Sequence, residues 1–323
     1  MKVRALARNI LLGAMACVVC MSVLVGCGGT DKDDGRINIV CSVFPEYDWV
    51  RNIVGDSERI SVSVLVSGST DLHSYNASPM DMVKLKESDI VISAGGISDA
   101  WVVDALRTDA EGVEHIRLSE IDGMTLYEVT SESLDHVHEH DEHHEHGETD
   151  EHLWLSPKNA VTAVRYICER ICAIDPDGAE KYRKNADAYI ERLTGLDVRM
   201  TALSQTMDED DTVVFADRFP FVYLFEDYGI DYYAAFEGCN TDAGWDTATT
   251  VRLAEKLGEV SAEYLFVTES SDERLANSVI CAADNKDVRI AVLDSMQSAG
   301  GDGTGYVEIM RANVAVLEAV FGE

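Results

Sequence analysis

The stretch Ile60-Ser61-Val62-Ser63-Val64-Leu65-Val66-Ser67-Gly68-Ser69-Thr70-Asp71-Leu72-His73-Ser74-Tyr75-Asn76-Ala77-Ser78-Pro79-Met80-Asp81 decides the reading of the fold. Its first seven residues alternate with a period near two, the pattern of a strand. Ser78-Pro79 then opens a helix that runs through Leu85, because a proline at the first helical position removes only an N–H that no helical carbonyl would have taken. Ile90-Val91-Ile92-Ser93-Ala94-Gly95-Gly96 is a buried type of strand ending in glycines. Upstream, residues 37–43 are strand-like and Phe44-Pro45-Glu46-Tyr47-Asp48-Trp49 turns into a helix. Strands alternating with helices give a parallel α/β lobe. His73 then falls just beyond a strand's C-terminal end, where such sheets place ligands.

The second half repeats the alternation. Asp175-Pro176 stops one helix and starts another. Residues 177–207 contain no proline, and Tyr182, Ala186, Tyr189, Leu193, Leu196 and Met200 recur at three- and four-residue spacing. That predicts a helix of about 30 residues, about 45 Å long. Beyond it Thr212-Val213-Val214-Phe215-Ala216, Tyr264-Leu265-Phe266-Val267 and Val288-Arg289-Ile290-Ala291-Val292-Leu293 are strands, with a helix over 251–257 between the first two. The expected fold is α/β: two Rossmann-like lobes joined by one long rigid helix, with the site in the interlobe cleft. The expected division is a signal over 1–26, a tether over 27–36, an N-terminal lobe over 37–175, the linking helix over 176–207 and a C-terminal lobe over 208–323.

The N-terminus sets the compartment. Lys2, Arg4 and Arg8 precede an uncharged apolar run from Ile10 to Val25, the pattern of a secretory signal. It ends in Leu24-Val25-Gly26-Cys27, which resembles the bacterial lipobox and makes Cys27 the lipidated first residue. Acyl chains on that cysteine would hold the protein at a membrane surface, each buried methylene adding about 0.8 kcal/mol. The chain carries 26 Lys+Arg against 59 Asp+Glu, a formal charge of −33, and loss of the signal makes it more negative by three. Nucleic-acid binding is excluded, because phosphate binding needs a basic surface. Acidity of this size concentrates cations. Five cysteines remain after Cys27 (Cys41, Cys168, Cys172, Cys239 and Cys281), an odd number, so at least one thiol stays free or pairs between chains.

Chemistry concentrates in the histidines. His73 and His152 stand in separate motifs, the second being Asp150-Glu151-His152-Leu153-Trp154-Leu155-Ser156-Pro157. Between them the segment 135–150 holds His136, His138, His140, His143, His144 and His146 among carboxylates. It has almost no apolar residues and is expected to be a loop that takes up metal weakly and exchangeably. Imidazole is the commonest protein ligand for zinc and similar ions. No His-Glu-x-x-His pattern occurs, which argues against a metalloprotease.

The ordered motifs resemble the metal-binding lipoproteins of ABC import systems, the zinc and manganese solute-binding proteins. The matching elements are His73 with Ser78-Pro79 and Asp81, then Asp150 to Pro157, then Asp175-Pro176 with Tyr182-Arg183-Lys184-Asn185. Leu293-Asp294-Ser295 completes the set at a strand end. The resemblance implies a divalent ion held between the lobes by His73, His152, a residue of the second lobe and Asp294. Ala216 falls where the family's usual third ligand would be, so Asp217 is taken as its chemical substitute, with Glu237 or a water as the fallback. Two histidines favour Zn2+ and added carboxylates shift preference toward Mn2+. The implied function is a lipid-anchored extracytoplasmic receptor, not an enzyme, that hands the ion to an ABC permease. The alternatives are a manganese receptor of the same type, a cell-surface zinc hydrolase, or an adhesin-like protein using the same fold.

Overall fold

A computed structural model describes residues 35–67, 70–107, 110–128, 149–208, 210–236, 245–297 and 303–322. Cys27, the six histidines of 136–146, Glu237 and Cys239 lie outside the described residues.

Two four-stranded parallel sheets form the framework. The first contains β1 (Ile37–Cys41), β2 (Ile60–Val64), β3 (Ile90–Ser93) and β4 (Glu114–Arg117), in the order β2-β1-β3-β4. The second contains β5 (Thr212–Phe215), β6 (Asp231–Ala234), β7 (Tyr264–Thr268) and β8 (Arg289–Leu293), and repeats that order as β6-β5-β7-β8. In each sheet the order reverses beside the first strand. The crevice past the C-terminal ends of β1 and β3, or of β5 and β7, is therefore the place where loops diverge and a ligand can enter.

The helices follow from local rules. In α1 (Phe44–Val54) the carboxylate of Glu46 folds back to accept the N–H groups of Ser42 and Val43 at 2.7 and 3.2 Å. In α2 (Pro79–Lys86) the Ser78 hydroxyl accepts from Asp81 N, and Asp81 returns a carboxylate to Ser78 N at 2.9 Å. That reciprocal pair satisfies two orphan donors of the helix start. After α3 (Ala100–Leu106), α4 (Pro157–Ile174) ends before Asp175-Pro176, because a residue preceding proline is driven out of helical conformation. A short 3-10 turn, Pro176–Gly178, then leads into α5 (Ala179–Ser204), 26 residues and about 39 Å long.

The long helix is the keel of the molecule. Its Tyr182, Ala186, Tyr189, Leu193, Leu196, Met200 and Leu203 join one continuous core with Ile39, Ile92 and Trp49 of the first lobe and Phe215, Phe266 and Leu293 of the second. Tyr189 also donates to Asp48 of α1 at 2.8 Å, and Tyr228 donates to Asp197 of the long helix at 2.9 Å. Smaller cores cover the outer face of each sheet.

Two strands were not visible in the sequence, β4 and β6. Both are four-residue edge strands, Glu-His-Ile-Arg and Asp-Tyr-Tyr-Ala, too short and too polar to show a period. Cys41, Cys168 and Cys172 are buried thiols and Cys281 is exposed. Among the described residues no helix is long and apolar enough to cross a membrane.

Candidate metal centre

His73 sits in a single 3-10 turn, Leu72–Ser74, after β2. Asp71 caps that turn by accepting His73 N at 2.8 Å, so the imidazole projects from a fixed backbone. Its Nδ1 lies 2.8 Å from Ser98 Oγ and 3.1 Å from Glu151 Oε1. His152 is placed the same way by its neighbour: Asp150 Oδ1 accepts both His152 N at 2.8 Å and His152 Nδ1 at 2.9 Å. Each ring therefore turns its Nδ1 to a carboxylate, which fixes the tautomer and leaves Nε2 as the nitrogen with a lone pair. The ring centroids are 5.4 Å apart, and Trp154 packs edge-on against His152.

Glu151 joins the two histidines. One ligand atom from each of His73, Glu151 and His152 lies within 4.8 Å of the others, a grouping that could hold a metal ion. Ser98 donates its N–H and its hydroxyl to the Glu151 carboxylate at 2.9 and 2.5 Å. Burial works to raise the Glu151 pKa, but the His73 hydrogen bond, the electrostatic pull of the His152 ring and the Ser98 hydroxyl outweigh it and bring it down to about 2. The close packing requires a glycine opposite. A Cβ on Gly96 would stand 2.2 Å from the Glu151 Cβ.

Behind the site two acids are buried together. Asp99 accepts Gly95 N at 3.2 Å, and Glu46 and Asp99 both take the Ser42 hydroxyl, at 3.1 and 3.4 Å. Desolvation raises Asp99 to about 6 and lifts Glu46 well above the carboxylate range, where Asp99 adds its repulsion.

Groups of the second lobe reach this site. Arg218 forms an ion pair at 2.9 Å with Asp71, the residue that caps the His73 turn. Gln297 Nε2 lies 2.6 Å from His152 Nε2. Asp217 and Asp294 fall outside the His73–Glu151–His152 group. Asp217 bridges the crevice of the second sheet, accepting the Thr268 hydroxyl at 2.6 Å and Arg218 N at 2.8 Å. Asp294 starts the turn after β8 and accepts Met296 N at 2.8 Å.

Sequence reasoning paired His73 with His152 but passed over Glu151, Ser98 and Gln297. Glu151 stood inside a quoted motif, and two adjacent acids before a histidine are its only local signal. Ser98 and Gln297 become neighbours of the histidines only through the fold, 25 and 145 residues away in sequence.

Residues 39–320 match the family model described as zinc-uptake complex component A, periplasmic. The chain belongs to this family. Among curated relatives, component A similarity extends to the zinc-binding lipoprotein AdcA of Streptococcus pneumoniae, 29% identical over 306 residues covering 93% of this chain. The chain spans about 59% of that relative's length. The high-affinity zinc uptake system protein ZnuA of Bacillus subtilis is 24% identical over 316 residues, covering 95% of this chain and 96% of the relative. The Zn(II)-bound ZnuA-like domain of the pneumococcal AdcA superposes with a TM-score of 0.71 at 27% identity, over 90% of this chain and all of that domain.

Proposed function

We propose that the chain is a zinc receptor: it binds Zn2+ outside the cytoplasm and delivers it to an ABC permease, held at the membrane by a lipid on Cys27. The observation that carries this is the pair of imidazoles whose Nδ1 atoms are each engaged by a carboxylate, His73 with Glu151 and His152 with Asp150. That arrangement makes both Nε2 atoms better donors and holds them in fixed directions, as zinc-binding histidines require. The zinc-binding names of the relatives and the net charge of −33 support the same cargo. In this reading His73 and His152 hold the ion, and the second lobe contributes a carboxylate, Asp294 beside the Gln297 turn or Asp217 at the Thr268 crevice. The histidines of 136–146 collect metal weakly. Mn2+ is the weaker cargo because imidazole dominates the donor set.

The test is direct. His73→Ala and His152→Ala should each weaken zinc binding by a factor of about ten or more, about 1.4 kcal/mol, in isothermal titration. Unchanged affinity in both variants refutes the site, and the companion variants Asp217→Ala and Asp294→Ala show which second-lobe carboxylate takes part.

A further inference from the structure

The turn after β8 is built to hold one side chain still. Asp294 exchanges two hydrogen bonds with Asn313 of the helix Tyr306–Phe321, both at 2.8 Å. Ser295 donates its N–H and hydroxyl to Glu269 at 2.9 and 3.0 Å, while its carbonyl accepts Trp154 Nε1 of the first lobe at 2.9 Å. Met296 then takes a left-handed conformation with φ 56°, unfavourable for a side chain of its size, and is almost fully buried. That strained step delivers Gln297, itself buried, to His152 at 2.6 Å.

The contact has a defined polarity. Asp150 takes the Nδ1 proton of His152, so Nε2 of the neutral ring is an acceptor and the Gln297 amide is the donor. One lone pair cannot hold an amide hydrogen and a metal ion together. We propose that Gln297 is a latch: it occupies the zinc-binding nitrogen of His152 from the opposite lobe, competes with the ion, and thereby sets how readily the cargo leaves. The inference rests on the metal-site reading of His152 given above. Because the turn is anchored at Asp294 and Ser295, the exchange is a rotation of the Gln297 side chain and needs no movement of the lobe. An ion that leaves is replaced at once by the amide, so the buried imidazole is never left without a hydrogen-bond partner in transit.

The latch predicts effects of opposite sign, which a purely structural residue does not give. In the full chain, stripped of metal with a chelator, Gln297→Leu should melt at a lower temperature than the unmodified protein, having lost a bond between the lobes. The same variant should bind Zn2+ and Mn2+ about tenfold tighter, by the same factor for each, because the same amide bond is no longer broken. Gln297→Asn, one methylene too short to reach, should behave likewise. Melting scans and titrations with zinc sulfate and manganese chloride measure both. Weaker binding in the two variants would make Gln297 a ligand, and unchanged binding would make the contact incidental; either result overturns the latch. If the unmodified chain binds neither ion, the metal-site reading itself fails, and the latch with it.

Discussion

Asp150 and Glu151 are adjacent in sequence yet serve different histidines, Asp150 its neighbour His152 and Glu151 the distant His73. The pairing within Asp150-Glu151-His152 was legible, because a side chain can reach a backbone N–H two residues on without help from the fold. The pairing of Glu151 with His73 and Ser98 was not, since it depends on bringing the β2 and β3 loops together. Glu151→Gln tests the difference. The folded-state pKa of Glu151, about 2, lies below its ordinary 4.5. Its contribution to stability is therefore present above about pH 4.5 and lost as the pH falls through about 2. Metal-stripped Glu151→Gln should accordingly lose less melting temperature than the parent between pH 5 and pH 3. Asp99, raised to about 6, acts with the opposite sign, its contribution being present below its ordinary 3.8 and lost as the pH rises through about 6. Identical acid profiles for variant and parent would show that Glu151 is not held ionised by the site.

At the scale of elements, the strands that hold the site announced themselves and those that flank it did not. Ile90–Ser93 carries an apolar run because it lies inside the sheet and is buried throughout, while Ile60–Val64, itself an edge, shows through the alternation of its five residues. β4 and β6 are edges too, but only four residues long, and each pairs with the strand before it in the chain. The glycines closing the third strand were legible as a stop, but not as a space. Gly96 faces the Glu151 side chain so closely that any Cβ must move it. Gly96→Ala should displace Glu151, release Ser98 and His73, and lower zinc affinity several-fold, with stability falling by about 1–3 kcal/mol as for other overpacked sites. Titration together with urea unfolding separates the two effects. A variant that unfolds earlier but binds zinc as before would remove Gly96 from the account of the site.

For the molecule as a whole, ligands drawn from separate loops couple metal binding to folding. Zinc should stabilise the fold, and so raise the melting temperature, by an amount that grows with free ion, about 2.7 kcal/mol of stability at a hundred times the dissociation constant. The gain should shrink from pH 7.5 to pH 5.5, as protons compete for the imidazoles, and should be smaller for manganese. Equal stabilisation by both ions would overturn the preference for zinc. The long helix was visible in the spacing of its buried residues, although the sequence placed its start at Pro176, where a 3-10 turn precedes the α-helix proper. That the two lobes share a single core was not visible, because shared burial is a property of where helices pack and not of any one period.

Glu128 and Thr149 pair across an antiparallel bridge, so the two ends of the intervening stretch are held at one point. Trp49 and Ile92 lie before that point and Trp154, Tyr182 and Phe266 after it, yet all belong to the same core. A recognition sequence for a specific protease, engineered between residues 129 and 148, would on cleavage yield two polypeptides that remain interlocked. They should elute as one species in native chromatography and separate only in denaturant. In such a nicked protein every ligand proposed for the main site would sit on the longer fragment except His73, so zinc itself would become a clasp between two chains.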